Sequence, residues 1–399
     1  MTSTKFVASR RDAKRMAKSI HQLVPGFIRE LDPYVPGKPI EEVERELKLH
    51  AVKLASNENP LGPSPLAIEA ARRALAEANR YPDGGGHYLR EKLAGRLGVR
   101  LEQIILGCGS TELIDLAART LLDHGDAGAT SAGTFPLYSI SIRAGGARLL
   151  EVPQRGHECD LQALASALTP RTKLAYLANP NNPTGTMFTA DAFDAFLARV
   201  PETLVMVLDE AYHEYVERPD YSRAIERVRE GRNLVVLRTF SKVYGLAGLR
   251  IGYAVGPAAL LAEMNKVRAP FNTSGVAQAA ALAALDDLEH VRRSRESNRA
   301  GLAQLAQGLA ALGVNYLPSL GNFLLVELGA DTTPIADALL QLGVIVRPMR
   351  WMGFPHAIRV TVGTRAENEK FLDVLARVLP RAPENLAGAP PIVSRGPGR

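Results

Sequence analysis

The sequence predicts an α/β protein whose central sheet is largely parallel. Between residues 149 and 237, short apolar segments alternate with helical ones, a pattern typical of βαβ units. Polar motifs follow three of the apolar segments, at the sheet edge where α/β proteins bind ligands. The predicted strands are 149–152, 173–178, 204–208 and 233–237, and the predicted helices are 161–168, 191–199 and 224–229.

The elements before residue 149 are predicted from local signals. Residues 1–19 are polar and basic, which favours poor order. Three prolines then force an extended path before a short helix that starts near Ile40. A strand that starts at Lys53 leads into a polar loop. Further predicted elements are a helix at 65–79, a helix ending near Leu97, a strand at 103–106 and a helix ending at Leu122.

The C-terminal third predicts a second, smaller domain. A strand at 251–256 is followed by helices at 257–266 and 275–312, the second long enough to link two domains. Short strands at 322–327, 344–347 and 357–361, with helices at 334–342 and 365–378, predict an α+β unit. The predicted division is an arm that begins the small domain (1–60), a large domain (61–295), a small domain (296–380) and a disordered tail (381–399).

The composition of the 399-residue chain excludes several classes of protein. The net charge is +6, but the basic residues are scattered, so we expect anionic substrates and no nucleic-acid partner. No apolar run approaches the roughly 20 residues that span a bilayer, and no secretory signal is visible. Two cysteines without metal-ligand spacing predict a cytoplasmic protein without a metal site.

Lys242 is the strongest candidate for a catalytic residue. It lies on a loop between two apolar strands, and a lysine held against a core can become a nucleophile because burial lowers its pKa. Thr239, Ser241 and Arg250 surround it with hydroxyls and a guanidinium that suit a phosphate. An amine beside a phosphate cradle is what pyridoxal phosphate requires.

Two motifs upstream support the same cofactor. Asp209 ends an apolar strand and Tyr212 follows it; an aspartate can keep the pyridine nitrogen of pyridoxal phosphate protonated. Asn182 lies in a proline-rich turn after another strand, where its amide can hydrogen-bond the cofactor's phenolic oxygen. The small residues at 107–111 precede a helix and predict an anion site. Glu112 stands where a dinucleotide-binding fingerprint has its third glycine, so that motif is not met.

These motifs, taken in order, resemble a class II, fold-type I aminotransferase. The series is Asn-Pro-Thr-Gly at 182–185, Asp-x-x-Tyr at 209–212, then Ser-Lys at 241–242 with Arg250 eight positions on. The chain is similar to the histidinol-phosphate aminotransferase family in particular, over residues 31–378, and four further segments carry that finer resemblance. They are 33–42, 57–62, 81–84 and 359–364.

The resemblance implies a fold, an assembly and a set of site residues. The expected fold has a mostly parallel seven-stranded sheet flanked by helices, with a small α+β C-terminal domain. The expected assembly is a homodimer with shared active sites. Matching positions imply that Lys242 carries pyridoxal 5′-phosphate, Asp209 contacts its ring nitrogen, and Asn182 and Tyr212 contact its phenolic oxygen. The other implied residues are Ser110, Thr111, Ser241 and Arg250 at the phosphate, Tyr81 reaching it from the other subunit, Phe135 on the ring, and Tyr34, Arg347 and Arg359 at the substrate.

Several positions are open to more than one interpretation. The position of Arg347 is as typical of a surface residue as of a phosphate ligand. Tyr34 is interpreted either as a substrate ligand or as a residue that only packs in the proline-rich arm. His213 is interpreted as packed or solvated, since no second metal ligand lies at a fitting spacing. Cys108 is interpreted as a small buried filler.

The implied reaction is a ping-pong amino transfer between histidinol phosphate and 2-oxoglutarate, which belongs to histidine biosynthesis. Lys242 would move a proton between the substrate and the cofactor, as base and then as acid. The main competing hypothesis is an aromatic amino-acid aminotransferase with the same fold, which would need a carboxylate site but no phosphate site. Two further alternatives for a protein with this fold are a phosphothreonine decarboxylase and a ligand-binding regulator without catalytic activity.

Overall fold

The structure, a computed structural model, describes residues 22–34 and 37–379. The two predicted disordered tails, 1–19 and 381–399, lie outside the described residues. The strands are β1 (Val52–Lys53), β2 (Ile104–Gly107), β3 (Ala127–Ser131), β4 (Arg148–Val152), β5 (Thr172–Ala178), β6 (Val205–Asp209), β7 (Leu234–Thr239), β8 (Gly252–Val255), β9 (Asn315–Leu317), β10 (Phe323–Glu327), β11 (Val344–Ile345), β12 (Arg347–Pro348) and β13 (Ala357–Thr361).

The helices lie before, between and after these strands along the chain. They are α1 (Gly26–Arg29), α2 (Ile40–Leu47), α3 (Pro65–Leu75), α4 (His87–Leu97), α5 (Gly109–Leu121), α6 (Leu137–Ala144), α7 (Leu161–Ala167), α8 (Ala190–Leu197), α9 (Ala224–Arg229), α10 (Ala258–Val267), α11 (Gly275–Ala284), α12 (Leu288–Ala311), α13 (Thr333–Gln341) and α14 (Arg365–Val378). Among the residues described, no helix is both long and apolar enough to cross a membrane.

Within the part of the chain that the structure describes, seven strands form the central sheet, in the order β2-β8-β7-β6-β5-β3-β4. All neighbours from β4 to β7 are parallel, and β8 runs antiparallel to both β7 and β2. The predicted α/β class with a mostly parallel seven-stranded sheet is therefore confirmed.

The strand sequences explain why helices cover both faces of this sheet. Along β6, Met206 and Leu208 enter one apolar cluster, while Val207, which points the other way, enters a second. A parallel strand that is buried on both faces has to be apolar at successive positions. The two clusters also take in helices on opposite sides, including α8 on the first side and α5 on the second.

A second group of strands lies outside the central sheet. β9, β10, β13 and β12 form an antiparallel sheet, and β1 pairs in parallel with β11. Val52 and Leu54, from the N-terminal part of the chain, pack in one apolar cluster with residues of α12, α13 and α14. The pairing of β1 with β11 and this shared cluster are compatible with a small domain that begins near the N-terminus. The exact domain boundaries stay a prediction.

Several sequence predictions need correction. The predicted single helix 275–312 is two helices, because the chain turns at 285–287 and Asp287 caps α12 by accepting a hydrogen bond from the His290 amide at 3.1 Å. The predicted strand 344–347 is split between β11 and β12, which belong to different sheets. The elements α1, β3, α6 and β9 were not predicted; most of the others differ from the predictions by a few residues at their ends.

Candidate active site

One pocket collects all the predicted site residues except Tyr81. It opens at the carboxyl ends of the parallel strands, where β5, β6 and β7 end at Ala178, Asp209 and Thr239. The predicted residues that line it are Tyr34, Ser110, Thr111, Phe135, Asn182, Asp209, Tyr212, Ser241, Lys242, Arg250, Arg347 and Arg359.

Lys242 lies in the turn that follows β7, and its amine points into the pocket. The Nζ atom donates to the carbonyl of Ser56 at 3.3 Å and lies 5.6 Å from the ring centre of Tyr212. Burial, with a smaller effect from the nearby positive charge of Arg359, lowers the pKa of Lys242 to about 8. A larger fraction of the amine is therefore neutral, and able to act as a nucleophile, than for an ordinary lysine.

Asp209 ends β6 as a buried carboxylate with two hydrogen-bond donors. The Tyr138 hydroxyl donates to Oδ2 at 2.9 Å, and the amide of Ala211 donates to Oδ1 at 3.0 Å. Burial raises the pKa of Asp209 to about 6, and the two hydrogen bonds oppose that rise. The carboxylate is thus held in place and needs a cation to offset its desolvation.

Tyr138 was not identified from the sequence. It is fully buried on α6, where its ring stacks on Tyr176 with centroids 5.2 Å apart. The signal that could have found it is helical spacing: Tyr138 and Ile142, four residues apart, both face the core. Phe135, which lines the pocket, meets Tyr138 edge-to-face at 5.7 Å.

Hydroxyls, a guanidinium and a helix N-terminus form a cradle at one end of the pocket. Ser110 and Thr111 lie in the first turn of α5, which presents free amides and the positive end of the helix dipole. Ser241 accepts from Thr239 at 2.9 Å and from the Arg250 guanidinium at 3.4 Å. These are the groups that hold a phosphate.

Two close approaches in the cradle require glycine. At Gly252, a Cβ would lie 2.8 Å from the Ser110 amide nitrogen, so a side chain there would separate β8 from the start of α5. At Gly109, whose φ is +74°, a Cβ would lie 2.5 Å from the guanidinium of Arg250. The cradle, the amine of Lys242 and the buried carboxylate of Asp209 therefore fit the phosphate, aldehyde and pyridine nitrogen of pyridoxal phosphate.

Asn57 is a second residue that sequence analysis did not assign. It adopts a left-handed backbone with φ of +55° and is almost fully buried. Its Oδ1 accepts from the Thr361 hydroxyl at 3.1 Å, so its Nδ2 donates to the Tyr212 hydroxyl at 2.9 Å. Because the Tyr212 oxygen accepts this bond, its own proton remains available to a ligand in the pocket.

Arg359 and Asn182 meet in the pocket. One Arg359 Nη donates to the Asn182 side-chain oxygen at 2.6 Å and the other to the carbonyl of Ala55 at 2.7 Å. The buried Nε of Arg359 has no hydrogen-bond partner among the described residues. Burial lowers the pKa of Arg359 from its ordinary value. A buried guanidinium with an unused donor is suited to an anion.

Arg347 is buried rather than on the surface, being only 8% exposed, and it lies among aromatic rings. Its Cζ is 5.7 Å from the ring centre of Tyr34 and 4.8 Å from that of Trp351. Tyr34 is half-exposed and contacts Phe135 and Trp351 edge-on. Trp351 was not singled out from the sequence, although it is the only tryptophan in the chain.

The remaining sequence interpretations concern residues near the pocket. Tyr81 lies outside it, is 83% exposed and stacks on Phe271 with centroids 4.6 Å apart. Burial lowers the pKa of His213 well below its ordinary value, and its ring stacks on Tyr221. Cys108 is only partly buried, at the start of α5. Among the described residues, no group of three or more His, Cys, Asp or Glu could hold a metal ion.

The family follows from comparison with known proteins. The sequence profile described as aminotransferase class I and II matches residues 50–375. This chain belongs to the class I and II aminotransferases. A histidinol-phosphate aminotransferase from Anaeromyxobacter sp. (strain Fw109-5) is 50% identical to this aminotransferase over 360 residues, covering 90% of the chain and 99% of the relative. The predicted resemblance to the histidinol-phosphate aminotransferase family is confirmed.

Solved structures agree with this assignment. The histidinol-phosphate aminotransferase of Sinorhizobium meliloti, in complex with pyridoxal 5′-phosphate, matches this aminotransferase with a TM-score of 0.82 and 31% identity. The match covers 90% of this chain and 97% of that one. An aspartate aminotransferase of Thermus thermophilus with maleate matches with a TM-score of 0.78 and 26% identity, over 89% of this chain and 99% of that one.

Proposed function

We propose that this aminotransferase uses pyridoxal 5′-phosphate to transfer the amino group of histidinol phosphate to 2-oxoglutarate. The observation that carries the choice of substrate is that Arg347 and Arg359 are both buried in one pocket. A phosphate monoester carries close to two negative charges near neutral pH, whereas a carboxylate carries one. Two buried cations therefore match a phosphate monoester better than a carboxylate. The names of the relatives that cover nearly the whole chain support the same substrate.

The chain's own groups have separate roles toward the cofactor. The cradle of Ser110, Thr111, Ser241 and Arg250 would hold its phosphate, and Asp209 would pair with its ring nitrogen. Tyr212 and Asn182 would hydrogen-bond its phenolic oxygen, and Phe135 would cover a face of its ring. When bound, pyridoxal phosphate supplies the electron sink that stabilises a negative charge on the substrate carbon.

Lys242 moves the proton in this scheme. Its neutral amine would take the proton from the substrate α-carbon, and the resulting ammonium would return that proton to the C4′ carbon of the cofactor. Its lowered pKa, about 8, keeps both the neutral and the charged form accessible near neutral pH. Asp209 remains ionised opposite the ring nitrogen, because a cation beside a carboxylate favours the charged form. Arg359 serves the anionic group of either substrate with its planar donors.

The competing functions are less well supported by the pocket. An aromatic amino-acid aminotransferase needs one cation for a carboxylate and leaves Arg347 without a role. A regulator without catalysis has no need for an amine with a lowered pKa beside a buried carboxylate. A cytoplasmic location is part of the proposal, and two unpaired cysteines are compatible with it.

Substrate preference tests the proposal directly. Histidinol phosphate should exceed phenylalanine and tyrosine as amino donor by at least about tenfold in kcat/KM, which corresponds to about 1.4 kcal/mol. Hydrogen bonds to charged groups contribute about 1.5–3 kcal/mol each, so Arg347→Ala should erase this preference. The glutamate half-reaction should be spared, since glutamate can still use Arg359. The measurement is a panel of amino donors at equal concentration, followed by single-turnover kinetics for each half-reaction.

Two other cations, Lys38 and Arg350, are exposed and do not line the pocket, so neither can replace Arg347. Arg350→Ala is therefore a matched control: its exposed guanidinium pairs with Asp331 at 2.8 Å, and the donor preference should not change. Equal turnover of phenylalanine and histidinol phosphate by the wild-type enzyme would favour the aromatic aminotransferase instead.

The dimer with shared active sites is also part of the proposal. Exposed large apolar side chains cluster in residues 61–88, and Tyr81 stacks on exposed Phe271 beside them. Large exposed apolar patches mark interaction sites. The exposed side chains are Leu61, Leu66, Ile68, Leu75, Tyr81 and Tyr88, with Phe271 against Tyr81.

Tyr81→Phe tests the shared site. The protein should be a dimer at working concentration, and the loss of one hydroxyl to a charged phosphate should weaken cofactor retention by about tenfold or more. Retention is measured by dialysis and cofactor absorbance, and assembly by light scattering. The control is Tyr88→Phe, which alters another exposed tyrosine of the same segment and should retain the cofactor normally. A fully active monomer would contradict the shared site.

A further inference from the structure

Trp351 and Tyr34 enclose the guanidinium of Arg347 at the outer end of the pocket. The Arg347 Cζ lies 4.8 Å from the ring centre of Trp351 and 5.7 Å from that of Tyr34. The two rings meet edge-to-face, with centroids 5.3 Å apart. Both aromatic side chains are two-fifths or more exposed, whereas Arg347 is 8% exposed. The rings therefore shield the cation from solvent.

Trp351 is held in this position by local structure. It lies in a single helical turn, Arg350–Met352, which ends at Gly353 with φ of +90°. The indole Nε1 donates to the carbonyl of Pro348 at 3.1 Å. Arg350, the residue before Trp351 in this turn, pairs with Asp331, so the two neighbouring side chains have separate partners. The ring is thus oriented before any ligand arrives.

The chemistry of a guanidinium makes this arrangement useful. Its donors lie in the plane of the group, while its faces interact with aromatic rings. Contacts with rings use the faces of the group and do not compete for its in-plane donors. Cation–π contacts contribute most with tryptophan and when the cation is desolvated. Holding a flexible arginine in one orientation also reduces the entropy lost when a ligand binds.

We propose that Trp351 is a positioning residue which, through Arg347, sets the preference for amino donors that carry a phosphate monoester. This inference rests on the proposed function, because it concerns the same pocket. The Trp351 ring holds the guanidinium so that the oxyanion meets an oriented, partly dehydrated cation. A donor that carries only a carboxylate at the α-carbon uses Arg359 and gains little from Trp351.

Two substitutions separate the ring from the rest of the side chain. Trp351→Leu removes the π-face and should raise KM for histidinol phosphate about tenfold, with kcat changed less than about twofold. Trp351→Phe keeps a π-face and should restore KM to within about threefold of wild type. KM for glutamate should stay constant in both. Arg350→Ala, at the preceding residue of the turn, should leave all constants unchanged. An unchanged KM in Trp351→Leu, or an equal rise for glutamate, would overturn the inference.

The only tryptophan in the chain also reports on the site without turnover. Titration of the cofactor-loaded protein with inorganic phosphate should change Trp351 fluorescence in a saturable way, whereas chloride at equal ionic strength should not. Arg347→Ala should abolish the change. A wild-type enzyme that prefers phenylalanine would refute the proposed function, while the phosphate titration would still test the contact of Trp351 and Arg347. A fluorescence response that is absent, or identical with chloride, would overturn the inference itself.

Discussion

Lys242→Ala should lower kcat by about a thousandfold or more and should abolish covalent attachment of the cofactor. The amine is both the nucleophile and the general base in the proposed reaction, and base catalysis alone is worth about 10²–10⁴-fold. Borohydride treatment of the wild-type protein with pyridoxal phosphate, followed by peptide mapping, should place the pyridoxyl group on Lys242. Lys242→Arg keeps the charge without the nucleophile and should be equally inactive.

The pH dependence of this attachment follows from the lowered pKa. With a pKa of about 8 rather than 10.5, about half of the Lys242 amine is neutral at pH 8, against well below 1% for an ordinary lysine. The rate at which the apoprotein captures the aldehyde should therefore rise with pH and level off above about pH 8.

Lys53 supplies the control for labelling. Its Nζ pairs with Glu58, a residue of the pocket wall, at 2.7 Å, yet it does not line the pocket itself. Lys53→Ala should therefore keep the label at full yield. Added methylamine should partly restore turnover in Lys242→Ala, because a small amine can replace the missing base. A label on any other lysine in the wild-type protein would refute the assignment.

The sequence predicted strands correctly where a run of apolar residues forms a strand that is buried in the fold. β6 and β7 are apolar at successive positions, so their ends, and with them Asp209 and the turn of Lys242, could be located in advance. β3 escaped prediction because its residues, Ala-Gly-Ala-Thr-Ser, have weak β propensity. β3 is a strand because it pairs with β4 on one side and β5 on the other. A local sequence pattern does not reveal this pairing.

The residues that support the site were harder to predict than those that form it. Tyr138 lies on a helix that was missed, and its bond to Asp209 joins positions 71 residues apart. Asn57 contacts Tyr212 from a loop 155 residues away, and only the fold brings them together. The break at 285–287 was not predicted because the segments on both sides have a helical pattern. An aspartate such as Asp287 acts as an N-cap only where the chain turns, and the sequence alone does not reveal that turn.

Asp209→Ala should lower kcat by about a hundredfold or more, because it removes a charge-assisted hydrogen bond to the cofactor in a closed site. Tyr138→Phe removes only the hydroxyl that donates to this carboxylate at 2.9 Å, and should cost less than about tenfold. The measurement is single-turnover kinetics with saturating cofactor. Near-normal turnover by Asp209→Ala would show that the aspartate is structural.

The stability of the apoprotein separates lost chemistry from lost folding. The folded-state pKa of Asp209, about 6, lies above its ordinary value of 3.8, so the folded protein binds this proton more tightly than the unfolded chain does. The contribution of Asp209 to the free energy of unfolding therefore decreases as pH rises from about 4 to about 6, and above that range the buried charge opposes folding. Asp209→Asn removes this charge at similar volume. At pH 7 its apoprotein should unfold at or above the wild-type temperature in a thermal scan, while its kcat is low. A large drop in that temperature would attribute the lost activity to folding and remove the support for a role at the ring nitrogen.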